Sequence, residues 1–286
     1  MRTEASQKLD RFREKALARG VPADAVERWL ASARPCVTLA PGADGPVVGR
    51  LGGPVMLPAD VPGLSRRLHL IATLDLTALP QGATGLRLPS DGRLLLFAHA
   101  DPENCEASGR VVYVPAGAPV EERRVDHGYE PDDAMADLDV RLAELGELRL
   151  AHDVSLPDHE VLFDPSEHPH ARELRAAWDD VRYADWKQLG GGHLQIDGYA
   201  TDPYGEDDPV TACQLHAQRR EDVDDGHGEE GRRPSPWEAP RPGDWALLGQ
   251  WHGLVDGVLY WTATRQDVSE CRFDRTTVLG FFEGPF

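Results

Sequence analysis

The sequence lacks any long apolar run. None reaches the roughly 18 consecutive apolar residues that a membrane helix requires. The first 20 residues carry charges throughout and contain no apolar stretch of the kind found in export signals. We therefore expect a cytoplasmic protein that is not exported and has no membrane partner.

Cysteine is also scarce. The four cysteines, Cys36, Cys105, Cys213 and Cys271, are so far apart that no Cys-x-x-Cys pair or similar spacing exists for a metal or redox centre. Isolated cysteines of this kind are typical of reduced thiols in an intracellular protein.

The signature motifs of common enzyme classes are missing as well. The sequence contains no phosphate-binding glycine loop, dinucleotide fingerprint, His-Glu-x-x-His zinc motif or serine nucleophile elbow. We therefore predict no cofactor and no bound metal. An enzyme that uses a carboxylate and a histidine as acid and base is not excluded, because a sequence does not show whether two such groups lie within hydrogen-bonding reach.

Basic residues are outnumbered. Thirty Lys and Arg against 49 Asp and Glu give a net charge of -19 at pH 7. This charge repels phosphate backbones and anionic lipids, so we expect no nucleic-acid partner, whereas a basic protein or a cation is electrostatically favoured. The alternative is that the acidic surface only keeps the protein in solution.

The N-terminal segment differs from the rest of the chain in the spacing of its apolar residues. Apolar residues recur at helical spacing between Glu4 and Ser32, and Gly20 followed by Pro22 indicates the end of one helix and the start of another. Residues 1–34 are predicted to be an N-terminal helical arm, either a docking element or a helical hairpin that caps a sheet. Residues 35–286 are predicted to be an α+β domain.

Beyond residue 35, short apolar runs alternate with glycine and proline, a pattern typical of β-strands. We predict strands at Leu68–Leu76, Arg93–Ala98, Trp245–Trp251 and Val258–Thr264, the last two as an antiparallel hairpin. The predicted fold class is α+β with mostly antiparallel sheets.

The two halves of this domain, about 35–150 and 185–286, show the same order of predicted elements. In each, a glycine-rich loop is followed by a first and a second apolar strand. This order indicates an internal duplication that makes two similar sheets facing each other. The alternative is that the two halves are similar only because each has the residue pattern of a β-hairpin.

Helix signals lie between the halves, at Pro131–Gly146 and His170–Val181. By contrast, Arg219–Gly243 is charged, rich in proline and nearly free of aliphatic residues. We predict that it forms a loop without regular structure, because it cannot bury enough apolar surface to offset the entropy of ordering.

A series of short motifs also occurs in a recognisable order. They are RLGGPVMLP, LIATLDLTALP, GRLLLFAHAD, VVYVP, SLP, HLQIDGY, ACQL, WALLGQW and GVLYWTATRQDV. Together these motifs, between Arg34 and Glu283, resemble the YwqG-like family of bacterial proteins. The resemblance implies a duplicated, mostly antiparallel sheet core and a biochemical role that is not known. Some members look like neighbours of toxin and immunity genes, which is an association and not a mechanism.

The chain departs from the family pattern at two places. Thr73 stands in a strand that usually carries a glutamine, and the run GYATDPYG lacks the glutamine of the family. In the second half, Gln250 and the pair Asp256 and Gly257 remain. If members share a polar site, half of it is lost here.

Polar residues interrupt several of the apolar strands. An unpaired carboxylate or imidazole is costly to bury, so each must reach a partner or line a cleft. We hypothesise a cleft between the two sheet halves, with Tyr199, Trp251 and Trp261 as its walls. The predicted ligand-binding residues are His193, Asp197, Tyr199, Gln250, His252, Asp256, Trp261 and Asp75. The alternative is that each polar group stabilises a turn or a sheet edge.

Two other stretches carry possible metal ligands. One holds His152, His159, His168 and His170 among carboxylates, and the other holds the acids of residues 202–208. The first lacks a zinc motif, and the second lacks the central glycine of a calcium loop. We interpret both as solvated loops.

The leading functional hypothesis is a cytoplasmic binding or interaction protein, with an immunity or regulatory role toward a basic protein partner as its specific form. The alternative is an enzyme with a His/Asp/Gln cleft between the two sheet halves. The sequence leaves the ligand and the oligomeric state open.

Overall fold

The computed structural model describes residues 4–128, 135–159, 162, 166–189, 192–201, 207–224, 242–254 and 257–283, and the structural statements below refer to these residues. The helices are α1 (Glu4–Ala18), α2 (Ala23–Leu30), α3 (Leu138–Leu145), α4 (Ala171–Leu189), α5 (Pro209–Asp224) and α6 (Arg265–Ser269). The strands are β1 (Arg34–Ala40), β2 (Val47–Leu51), β3 (Val55–Leu57), β4 (His69–Asp75), β5 (Arg93–Asp101), β6 (Glu106–Val114), β7 (Glu121–Arg123), β8 (Glu147–Ser155), β9 (His193–Ile196), β10 (Trp245–Leu254), β11 (Gly257–Thr264) and β12 (Thr277–Phe282).

Ten of these strands form one antiparallel sheet in the order β12-β11-β10-β9-β1-β8-β2-β4-β5-β6, while β3 pairs only with β7. The consecutive strands β4, β5 and β6 form a meander at one edge, and β10, β11 and β12 form a meander at the other. In the middle, β1 and β8 pair over seven residues each and join the two parts. The strands predicted to form two facing sheets therefore belong to one continuous sheet.

The sheet is curled so that its two edge strands, β6 and β12, lie against each other. Gly109 of β6 permits this close approach, because a Cβ atom at this position would lie only 3.0 Å from the side chain of Val278 in β12. Inside the curl, Nε1 of Trp261 donates a hydrogen bond to the carbonyl oxygen of Phe97 at 3.0 Å. This bond links a strand of one meander to a strand of the other.

The main hydrophobic core fills the inside of the curl. Strand residues alternate between the two faces of a sheet, and the inward set here is almost entirely apolar. Its largest fully buried side chains include Trp251, Trp261, Leu39, Leu51 and Ile71. Each buried aliphatic side chain of this size stabilises the fold by about 1.5–3 kcal/mol.

A second core lies among α1, α2 and α4. Phe12 of α1 meets Trp178 of α4 edge-on, with the ring centroids 6.1 Å apart, and Trp29 of α2 is buried in the same cluster. The buried residues of α1 are Lys8, Phe12 and Ala16, four residues apart, as expected for a helix with one covered face. The two helices predicted between residues 4 and 32 are therefore present.

The four predicted strands are confirmed as β4, β5, β10 and β11, and the predicted hairpin is β10 with β11. The two predicted middle helices are present with different limits. α3 begins at Leu138, later than predicted, and ends before Gly146 as predicted, while Asp132 and Asp133 lie outside the described residues. α4 continues past Val181 to Leu189.

α5 has no counterpart among the sequence predictions. Its last part, Arg219–Asp224, contradicts the predicted loop over Arg219–Gly243. The helix is capped by Asp208, whose Oδ2 accepts hydrogen bonds from the backbone N–H of Thr211 at 2.9 Å and from its hydroxyl at 2.7 Å. Residues 225–241 lie outside the described residues, and Pro242–Asp244 form a 3-10 turn.

Among the described helices, none is both long enough and apolar enough to cross a membrane.

Candidate functional site

The register between β9 and β10 places two pairs of polar side chains on the outer face of the sheet. Gln195 lies opposite Gln250, and His193 lies opposite His252. Residues two apart on a strand share a face, so these four side chains lie together, while Trp251 between them enters the core. A shift of one residue in the strand register would turn these polar side chains toward the core and Trp251 toward the outer face.

The aromatic rings on this face form a stack beneath α4. His193 and His252 are nearly parallel, with ring centroids 4.6 Å apart, and Trp186 of α4 lies 4.4 Å from His252 and 5.1 Å from His193. Behind Trp186, the buried guanidinium of Arg182 lies 4.9 Å from its ring and is paired with Asp158 at 2.7 Å. The stack therefore joins the sheet to α4.

Gln250 fixes the hydrogen-bonding pattern of this cluster. Its Oε1 accepts a hydrogen bond from the backbone N–H of Thr201 at 2.8 Å, which identifies the other terminal atom of the amide as Nε2. Nε2 donates to the Thr201 hydroxyl at 2.6 Å and to Nε2 of His252. An amide nitrogen can only donate, so Nε2 of His252 carries the lone pair and its ring is neutral.

The pKa of His252 is held well below its ordinary value. Burial is the largest cause, followed by repulsion from His193 and from the charge of Arg182. This agrees with the neutral ring that the Gln250 contact requires. The lone pair of His252 is already occupied by an amide N–H. The hydrogen bonds of Gln250 join β10 to residue 201, and His193 of β9 meets this cluster through ring stacking.

Asp197 lies apart from this cluster, just after β9, with a positive φ of 64°. Its Oδ2 accepts a hydrogen bond from the N–H of Gly85 at 2.6 Å, and its Oδ1 lies 3.9 Å from a guanidinium nitrogen of Arg265. Burial raises the pKa of Asp197 above its ordinary value, opposed by the N–H of Gly198 and by Arg265. Asp197 thus links β9 to the loop before β5 and to α6.

The remaining predicted site residues are distributed over the molecule. The hydroxyl of Tyr199 donates to the carbonyl of Ser32 at 3.0 Å. Trp261 is fully buried in the main core, as is Trp251. The Oδ1 of Asp75 accepts from the N–H and hydroxyl of Thr77, which closes a turn beside two cavities of about 330 and 540 Å³. Asp256 lies outside the described residues.

A larger cavity, which we call the charged groove, lies between α1, the end of α4 and β8. Its volume is about 1020 Å³, at the upper limit of the 300–1,000 Å³ range typical of small-molecule sites. The polar residues that line it are Glu4, Gln7, Lys8, Arg11, Thr38, Asp44, His152, Asp153, Asp185 and Gln188. The four from α1 are three or four residues apart, so one face of that helix forms a wall.

An ion-pair network forms the floor of the charged groove. The buried ammonium of Lys8 lies 2.8 Å from Oδ1 of Asp153 and 3.6 Å from Asp185. Asp153 also accepts from the hydroxyl of Thr38 at 2.8 Å, and Asp185 binds the guanidinium of Arg11 through two bonds of 2.7 and 2.9 Å. The two cations on the floor are thus neutralised by carboxylates.

The charge that remains in the groove is negative. Four carboxylates line it against two cations, a net charge of -2, and the rim carboxylates Glu4 and Asp44 are exposed. A concave surface of one sign concentrates ions of the other sign. The groove is therefore suited to a cationic group that enters from the solvent.

Sequence reasoning missed the charged groove. Lys8 and Asp153 are 145 residues apart in the sequence and belong to elements with no common motif. One signal was available: Lys8 is one of only three lysines in the chain, and it lies at a helical spacing on the same face as Phe12. A lysine on an apolar helix face requires a buried partner.

The comparison with known proteins gives a family without an assigned role. No curated protein matches the chain. A family model described as Domain of unknown function (DUF1963) matches residues 49–279, from β2 into β12. Because the match covers most of the sheet and more than half of the chain, this protein belongs to the DUF1963 family.

Proposed function

We propose that this protein binds a basic protein partner and that the charged groove receives a cationic segment of it. The observation that carries the proposal is the groove itself, a cavity of about 1020 Å³ with a net charge of -2. A cavity at the upper limit of the small-molecule range has room for the side chains of a short peptide segment. The net charge of -19 on the chain attracts a basic partner over a longer range.

The arrangement of charges supports binding at the rim of the groove. Asp153 and Asp185 already compensate Lys8 and Arg11 on the floor. Glu4 and the β1–β2 loop residue Asp44 are exposed and supply the excess negative charge. Lysine or arginine side chains of a partner would pair with these two carboxylates without disturbing the buried network.

The test measures binding of a fluorescein-labelled oligo-arginine peptide of about eight residues by anisotropy, at low and at physiological salt. The double variant Glu4→Gln/Asp44→Asn should weaken binding about 5- to 30-fold, because each lost charge pair contributes about 0.5–1 kcal/mol. A matched control, Glu103→Gln/Glu106→Gln, removes the same charge from exposed positions near the start of β6 and should leave binding within about 2-fold.

Equal losses in the two double variants would contradict the proposal, because they would show attraction to the overall charge only. Absence of peptide binding to the parent protein at low salt would also contradict it. A loss restricted to the groove variant supports it.

The alternative function is an enzyme with a His/Asp/Gln cleft between the two sheet halves. The stack of His193 and His252 beside Gln250 favours it. Against it, the carboxylate of Asp197 faces Gly85 and Arg265 and does not join the stack. We therefore place this function second, and a thermal-shift screen of metal ions and small ligands on the parent and on His193→Ala would test it.

Four finer statements belong to the same proposal. We propose a cytoplasmic location, supported by four free cysteines. We also propose that the YwqG-like resemblance holds and that the two halves arose by duplication, supported by the three-stranded meanders at the two edges of the sheet. Residues 1–34 would then be an added helical arm, consistent with a family match that begins at residue 49.

A further inference from the structure

Three potential metal ligands converge at the start of β4, away from the charged groove. Nδ1 of His69 lies 2.7 Å from Oδ1 of Asp139, and Nε2 of His127 lies 2.9 Å from Oδ2 of the same carboxylate. These residues come from β4, from the segment after β7 and from the first turn of α3. The three ligand atoms lie within 4.8 Å of one another.

The tautomer of His127 makes this arrangement informative. Its Nδ1 lies 2.6 Å from the carbonyl oxygen of Arg66. A carbonyl oxygen only accepts, so Nδ1 carries a proton, and in the neutral ring Nε2 then has a lone pair. That lone pair faces a carboxylate oxygen, which also only accepts. The contact is favourable only if a cation, either a second proton on the ring or a metal ion, lies between the two atoms.

The two imidazole rings lie close enough to share one cation with Asp139. His69 and His127 are stacked with centroids 4.0 Å apart and planes 15° apart. A metal ion that both rings bind together with Asp139 satisfies all three groups with one centre. The hydrogen bond from His127 to the backbone carbonyl is the outer contact that usually orients a metal-binding histidine.

We propose that His69, His127 and Asp139 bind a divalent transition-metal ion, with zinc as the first choice. Two imidazoles and one carboxylate are a common ligand set for zinc, whereas magnesium and calcium prefer oxygen ligands alone. A tetrahedral zinc with bonds of about 2.0–2.1 Å separates its ligand atoms by about 3.3 Å. The carboxylate has to move by about half an ångström, and at least one imidazole ring has to turn out of the stack so that both lone pairs point at the ion. The side chain of Asp139 is 52% exposed and so accessible.

This centre is a different one from the histidine-rich stretch of the sequence. Among the described residues, the histidines and carboxylates of residues 152–170 do not bring three ligand atoms together in this way. The metal would tie β4, the segment that contains His127 and α3 to one another. It would also leave a coordination position open to solvent on the side of Asp139.

The test is calorimetric titration of the chelator-treated protein with zinc chloride at pH 7.5. We expect one equivalent to bind and the melting temperature to rise by about 5 °C when zinc is about 100-fold above its Kd. Asp139→Asn keeps the shape and an acceptor oxygen, and His127→Gln keeps a donor for Arg66. Each should weaken zinc binding at least about 100-fold, since loss of an outer-shell contact alone costs about 10- to 100-fold.

The matched control is His216→Ala, which removes an exposed imidazole on α5 and should bind zinc as the parent does. Nitrogen-15 NMR of the parent should show a metal-induced shift at Nε2 of His127 while Nδ1 keeps its proton. The proposal is overturned if the parent binds no zinc, if Asp139→Asn and His127→Gln bind as tightly as the parent, or if only His216→Ala loses binding.

Discussion

Gln250 is the residue for which a structural and a ligand-binding role predict most clearly different results. Its side chain is fully buried, and both ends of the amide are hydrogen-bonded. Gln250→Ala removes the acceptor for the N–H of Thr201, a residue that is itself buried, and the donor to His252. Three polar groups then lose a partner: the N–H and the hydroxyl of buried Thr201, and Nε2 of His252.

The magnitude follows from these three groups. A buried donor or acceptor left without a partner costs about 1–3 kcal/mol. Two of the groups are on buried Thr201 and the third is on the partly accessible His252, so we expect a loss of about 2–4 kcal/mol in the free energy of unfolding. A change of 1 kcal/mol shifts the melting temperature of a chain of this size by about 2–4 °C. The melting temperature of Gln250→Ala should therefore fall by about 5–12 °C.

The assay is urea and thermal unfolding of Gln250→Ala beside the control Gln266→Ala. The control removes an exposed glutamine that bonds only to the neighbouring Glu270, and its stability should change by less than about 0.5 kcal/mol. A loss below about 1 kcal/mol for Gln250→Ala would refute the hydrogen-bond argument. Combined with a ligand found for the parent, it would restore Gln250 as a binding residue.

Three further outcomes are expected. Lys8→Met and Asp153→Asn should each cost about 2–4 kcal/mol in urea unfolding, because each deprives a largely buried charge of its nearest partner. The double variant should lose less than the sum, and additive losses would show that the pair is not coupled. The pKa of His252 is lowered by burial, so the stability that the neutral ring contributes is fully present above the unfolded value of 6.5 and is lost as pH falls from there toward the folded pKa. His252→Gln should flatten this part of the curve of stability against pH, and an unchanged curve would contradict the neutral, buried state of His252. Burial raises the pKa of Asp197 above its ordinary value, so its ionised form carries a cost at neutral pH that disappears as pH falls through the folded pKa. Asp197→Asn should be neutral or slightly stabilising at pH 7, and a loss above about 1 kcal/mol would show that the carboxylate is required.

The sequence by itself determined four of the twelve described strands and the N-terminal helices. Apolar residues bounded by glycine and proline indicate β4, β5, β10 and β11, and helical spacing indicates α1 and α2, because these signals depend on residues that are close in the sequence. α5 escaped prediction because its polar and apolar residues are not segregated onto separate faces.

The sequence also identified the right kind of residue on β9 and β10. Polar groups within apolar strands must find partners, and the structure places His193, Gln250 and His252 together. It could not show that Asp197 lies elsewhere, because a positive φ after β9 turns that side chain toward Gly85.

Only the tertiary structure decided where the candidate sites lie. The single curled sheet, the charged groove and the convergence of His69 with Asp139, 70 residues away in the sequence, all depend on which elements pack against each other. Packing minimises exposed apolar surface over the whole chain, and charged residues such as Lys8 and Asp153 are brought together as a consequence of it. No local sequence pattern indicates such a contact, because neither residue affects the backbone preference of the other until the fold has formed.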